Sequence, residues 1–134
     1  MIFCHFYFRS KAFTAKATQT ALQFLTLLPN GVIRNSDTVK NVVETSLSIG
    51  VLSLQNEQLV GTILSRSLVE HGKEEVRSRL NALAQLTGAT VEYSGNYPGW
   101  EPAPNSEITA LTKKIYDEVL GYEAQIKVIH AGLE

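Results

Sequence analysis

Residues 45–54 and 58–68 are two consecutive runs rich in β-branched and apolar side chains, parted by the turn-like Gln55-Asn56-Glu57. Such a pair folds back on itself as an antiparallel hairpin. A helical pattern stands on each side of it. Upstream, Ala17, Ala21, Phe24, Leu25 and Leu28 recur at helical spacing behind Thr14, which can cap, and Pro29-Asn30-Gly31 stops the run. Downstream, Val76, Leu80, Leu83 and Leu86 mark a second amphipathic helix, closed by Gly88 where a left-handed C-cap is wanted. A hairpin with one apolar face and two helices with apolar stripes can bury all three surfaces together. The pattern predicts an α+β fold, an antiparallel sheet with two helices on one face, related to ferredoxin-like folds.

Smaller features fill in the chain. Residues 31–35 read as a short strand, and Asn35-Ser36-Asp37 as a turn whose polar side chains bond their own backbone. Within 45–54, Leu47, Ile49 and Val51 alternate with small or polar residues, then the phase slips to Leu52 and Leu54, which predicts a β-bulge. His71-Gly72 is read as the break between strand and helix, and residues 89–93 as a further short strand. The apolar opening Met1-Ile2-Phe3-Cys4-His5-Phe6-Tyr7-Phe8 lacks the basic lead and the length of a secretory signal, and is read as an edge strand or an untidy terminus.

At 97–104 the composition changes: three of the four prolines and the only tryptophan fall there. A boundary is placed at this point, with one unit at 1–97 (1–12 unplaced), a Pro-rich linker at 98–105 and a second, incomplete unit at 106–134. Ser106 can cap a helix carrying Ile108, Leu111, Ile115 and Val119 and ended by Gly121. Residues 125–130, with Ile126, Val128 and Ile129, are then expected to be a strand covered on both faces, as in a parallel sheet. The sequence stops just past it, as if torn from a larger α/β domain.

Chemistry is sparse. With 12 Lys and Arg against 13 Asp and Glu, the chain has a net charge of −1 and no basic stripe, which argues against nucleic acid or an anionic membrane as partner. The single Cys4 fits a reducing, cytoplasmic setting and cannot build a thiolate metal site. His5, His71 and His130 are scattered, so no metal site is expected in this chain. No nucleophile elbow, phosphate loop or dinucleotide fingerprint is present. No catalytic residue is named. Arg66, between Ser65 and Ser67 at a strand end, has two readings: a side chain snorkelling at the sheet rim, or a guanidinium fork that grips a carboxylate. Arg34-Asn35-Ser36-Asp37 is a second polar cluster, equally explained as a self-bonded turn.

Several stretches taken together resemble one family, the bacterial cytosolic non-specific dipeptidases, also called aminoacyl-histidine or Xaa-His dipeptidases. They are Leu27-Leu28-Pro29-Asn30-Gly31-Val32-Ile33-Arg34-Asn35-Ser36-Asp37, Val43-Glu44-Thr45-Ser46-Leu47, Ser65-Arg66-Ser67-Leu68, Tyr97-Pro98-Gly99-Trp100 and Ile129-His130-Ala131-Gly132-Leu133-Glu134. Their order runs without a large gap from Phe13 to Glu134, while residues 1–12 match nothing placed in the family.

The resemblance implies the latter part of the lid, or dimerisation, domain of a two-domain zinc exopeptidase, followed by re-entry into its catalytic domain. The two metals, their bridging carboxylate and the general-base glutamate of such an enzyme lie outside this stretch, so the chain alone is expected to bind no zinc and to cleave nothing. Arg66 falls on the lid arginine that binds the free carboxylate of a dipeptide, and His130, Gly132 and Glu134 fall in a loop lining the substrate site. A homodimer is expected. The competing expectation is a free-standing α+β interaction or ligand-binding module.

Overall fold

The computed structural model describes residues 1–9, 14–103 and 105–131. Its elements are β1 (Ile2–Arg9), α1 (Ala15–Leu27), β2 (Gly31–Asn35), β3 (Val43–Gln55), β4 (Gln58–Ser67), α2 (Glu70–Thr87), β5 (Thr90–Ser94) and α3 (Glu107–Leu120). The five strands form one antiparallel sheet in the order β2-β3-β4-β1-β5. Without β2, the remaining β1-α1-β3-β4-α2-β5 has the split βαβ connectivity of ferredoxin-like folds. No helix among the described residues is long and apolar enough to cross a membrane.

Local chemistry sets the ends of the elements. Thr14 Oγ1 accepts from the Ala17 N–H at 3.2 Å and starts α1, and Gly88, at φ 71°, closes α2 in the left-handed conformation. Ser106 caps α3 and Gly121, at φ 73°, ends it. The β3–β4 hairpin turns through Asn56 and Glu57, both at positive φ (48° and 63°), as a two-residue turn that follows the strand twist requires. The register shifts between Ile49 and Val51, so the phase slip in the sequence is a bulge at Gly50.

One face of the sheet carries the core. Cys4, Phe6, Leu47 and Ile63 from the strands meet Phe24 and Leu28 at the end of the first helix and Val76, Leu80 and Leu83 of α2. The rings of Phe6 and Phe24 pack at 4.7 Å between centroids.

Four expectations are corrected. The apolar opening is an interior strand, not an edge or a loose terminus: β1 is hydrogen-bonded to β4 on one side and β5 on the other. Ile2, Cys4 and Phe6 point to the helices, while Phe3 and Tyr7 on the other face are also apolar, which hid the alternation. The helix α2 begins at Glu70, with His71 and Gly72 in its first turn. Gly72 lies where a Cβ would come 2.4 Å from Ser67 Oγ and 2.5 Å from Thr45 Oγ1, so its role is close packing against β3 and β4. Leu86 is off the apolar stripe and 81% exposed. Finally, residues 125–130 form no strand, because no neighbouring strand among the described residues supplies a ladder. Residues 132–134 lie outside the described residues.

Candidate functional site

Strand alternation decides where Arg66 goes. Ser65 and Ser67 turn into the buried face, so Arg66 stands on the open face of the sheet, directly across from Ser46 of β3. Beyond it, Leu68 and Val69 turn the chain from β4 into α2. This corner floors a cleft of about 830 Å³. Tyr97, Pro98, Gly99 and Trp100 form one wall and residues 126–131 another. Among the described residues, its charged lining groups are cationic side chains or the chain's amino group, namely Arg66, Lys40, Lys127 and Met1. A low-dielectric pocket with this charge balance favours an anion.

His130 is held beside Arg66. Its Nε2 lies 2.7 Å from Ser46 Oγ, so the segment 126–131 is tied to the sheet by the residue opposite Arg66. Burial holds the imidazole below its ordinary range, the guanidinium of Arg66 pushes the same way, and a hydrogen bond with the Val43 backbone opposes them. His130 is therefore neutral at pH 7.

The other polar cluster closes on itself. Ser36 Oγ accepts from the N–H of Thr38 at 3.3 Å and of Val39 at 3.1 Å, and Arg34 is paired with both Asp37 and Glu44. That is a self-bonded turn with its charge neutralised. The two other histidines lie elsewhere: His5 is on β1 with Nδ1 3.1 Å from Thr62 Oγ1, and His71 is exposed on α2. Among the described residues no three His, Cys, Asp or Glu side chains converge as a metal ion would require. The residues described do not fit zinc. Gly132 and Glu134 lie outside the described residues.

The sequence reading missed Lys73, which is 1% exposed in the first turn of α2. Its ammonium donates to the Tyr97 carbonyl at 2.6 Å and to Asn96 Oδ1 at 3.3 Å, and it lies 2.8 Å from Glu70 Oε1. The only signal in the sequence was a Lys where the Val76-Leu80-Leu83 stripe, extended backwards by three residues, wants an apolar side chain.

No family model matches the chain. It is 44% identical over 123 residues to the cytosol non-specific dipeptidase of Escherichia coli, a match covering 92% of this chain and 25% of that protein. The chain corresponds to a segment of these dipeptidases. Its structure superposes on an aminoacylhistidine dipeptidase from Vibrio alginolyticus with TM-score 0.80 and 41% identity, over 94% of this chain and 26% of the other. An aminopeptidase from Bacillus cereus shares the fold at TM-score 0.71 and 20% identity, over 98% of this chain and 38% of that one. The chain thus spans about a quarter of the length of the dipeptidases it matches.

Proposed function

We propose that this chain is the substrate-gripping part of a dipeptidase lid, which anchors the free carboxylate of a dipeptide on Arg66 and hydrolyses nothing by itself. The observation that carries this reading is the position of Arg66, on a rigid strand at the floor of a cleft that Lys40 and Lys127 also line, its charged lining among the described residues being cationic. A guanidinium there can form a bidentate pair with a carboxylate, while the apolar wall formed by Trp100, Ile126 and Ile129 accommodates a side chain. The hydrolytic metals, zinc or another divalent ion, belong in this reading to a part of the complete enzyme outside the chain, and its setting is the cytoplasm. The lid reading also carries self-association, for which β2 and β5 are the open sheet edges.

Trp100 is the only tryptophan and lies on the cleft wall, so its emission reports binding directly. Titration with glycyl-histidine is expected to shift it, and the C-terminal amide of the same dipeptide should do so far more weakly. Arg66→Gln is expected to weaken glycyl-histidine roughly ten- to a hundred-fold with little change in melting temperature. Equal binding of acid and amide, or parallel loss of stability and binding in the variant, would defeat the carboxylate role. Glycyl-histidine turnover by the purified chain with zinc or manganese, above a no-protein control, would defeat the inactive-lid reading, and a light-scattering mass that stays near 14.8 kDa at all concentrations would defeat self-association.

A further inference from the structure

An ammonium is among the most costly groups to bury, and Lys73 is almost completely buried. It is retained with all three of its donors directed at oxygens: the Tyr97 carbonyl, the Asn96 amide and the Glu70 carboxylate. Glu70 Oε1 accepts in addition from the Gly99 N–H at 2.8 Å. These two bonds hold the Glu70 carboxyl below its usual range, the Lys73 bond contributing most. Gly99 in turn packs so tightly on the β4–α2 corner that a Cβ would come 2.4 Å from the Leu68 carbonyl oxygen.

The core does not need this charge. A methionine of similar volume would fill the space without the desolvation cost of a buried ammonium, and Glu70, exposed at the surface, would be left solvated rather than as a buried unpaired charge. What the charge does hold is residues 96–99, which continue into Trp100 as the wall of the cleft facing Arg66. Both ends of the clasp start from one corner, since only Leu68 and Val69 separate the strand bearing Arg66 from the helix bearing Glu70 and Lys73.

We propose that Lys73 and Glu70 act as a positioning pair that clamps the 96–100 wall over Arg66, setting how tightly the cleft holds a carboxylate ligand without touching that ligand. The proposal rests on the carboxylate-binding reading of Arg66 and adds the residues that shape its pocket.

The test uses the purified chain with Lys73→Met and Glu70→Gln. Three quantities are followed: amide hydrogen exchange of residues 96–100, the emission of Trp100, and glycyl-histidine affinity read from that emission. Lys73→Met is expected to keep the far-ultraviolet circular dichroism and a cooperative melt, to speed exchange of the wall, to red-shift Trp100, and to weaken glycyl-histidine roughly tenfold. Glu70→Gln, which keeps an acceptor for Gly99, should move all three in the same direction by less. Unchanged exchange and emission in Lys73→Met overturn the clasp, and so does a loosened wall with undiminished affinity. Should Lys73→Met fail to fold, Glu70→Gln decides alone by the same readouts, because its side chain is on the surface. If the unmodified chain does not bind glycyl-histidine, the Arg66 reading fails; the clasp then stands if the variants free residues 96–100 and falls if they do not.

Discussion

The sheet with its two helices and the segment that follows it were specified by the same kind of sequence signal, yet they ended in opposite states. Both α1 and α3 begin on a capping hydroxyl and carry an apolar stripe. The stripe of α1 delivers Ala21 and Phe24 into a closed core. The stripe of α3 delivers Ile108, Leu111, Ile115 and Val119 to the surface, and no residue of that helix is buried. Caps and periodicity fix where a helix forms and which face is apolar. Only a surface to pack against turns that face into stability.

The sharpest way to break the contrast is to delete side chains on both sides of it. Phe6→Ala removes a fully buried ring and should cost about 3–5 kcal/mol in urea denaturation, whereas Ile115→Ala in α3 should stay within about 0.5 kcal/mol. A large loss from Ile115→Ala would mean that α3 is packed after all. Cys4 sharpens the same point, because burial pushes its thiol up to about 12. A thiol reagent should therefore label it only when the core opens, at a rate that follows global unfolding.

A smaller effect is expected at the join between sheet and helix. Gly72→Ala places a methyl against two buried hydroxyls that are bonded to each other at 2.9 Å, and should cost about 1–3 kcal/mol of global stability. Ser106→Ala should cost about 1 kcal/mol, but only within α3. Its sign is faster amide exchange across 107–110 at an unchanged global midpoint. A shift of the midpoint itself would couple the two regions.

The smallest effect is that of pH on the tie between them. His130 titrates lower in the folded chain than its ordinary value of 6.5, so the unfolded chain binds more protons in that interval and stability rises with pH there. The contribution is complete above about pH 6.5 and is lost as pH falls through the folded value. The groups facing the ring include Arg66 on β4, Ser46 on β3 and Val43 at the start of β3. Exchange of residues 126–131, corrected for intrinsic rates, should therefore quicken between about pH 7 and pH 5 while α2 stays protected. Equal protection at both pH values would remove His130 as the tie.

The legible part of the fold was the part decided by local rules. Thr14, Gly88, Ser106 and Gly121 act where their chemistry placed them, and the phase slip after Val51 announced the bulge. β1 was misread because Phe3 and Tyr7 on the face away from the helices are apolar like the core residues between them, so the alternation of an interior strand was hidden. Residues 125–130 were misread in the opposite direction: apolar content alone predicted a strand, but strands exist only in pairs. At the site, Arg66 was visible as an oddity in an apolar run, and the resemblance gave it a role. Lys73 was missed because two of its three partners, Asn96 and Tyr97, lie 23 and 24 residues away, in a loop whose path no pattern reveals.

The bulge at Gly50 has one more consequence, a matter of parity. From the turn to the bulge, β3 and β4 pair in the frame set by Gln55 opposite Gln58; past it, the frame moves by one and Ser46 meets Arg66. Were Gly50 paired in the ladder instead of bulged, Arg66 would face Leu47, and one strand face would have to hold a core leucine and a guanidinium side by side. A single inserted glycine thus sorts charge from core at a distance. Adding one residue between Gly50 and the turn should invert the arrangement and bury the arginine in place of the leucine, whereas deleting Gly50 removes the bulge and leaves Ser46 opposite Arg66.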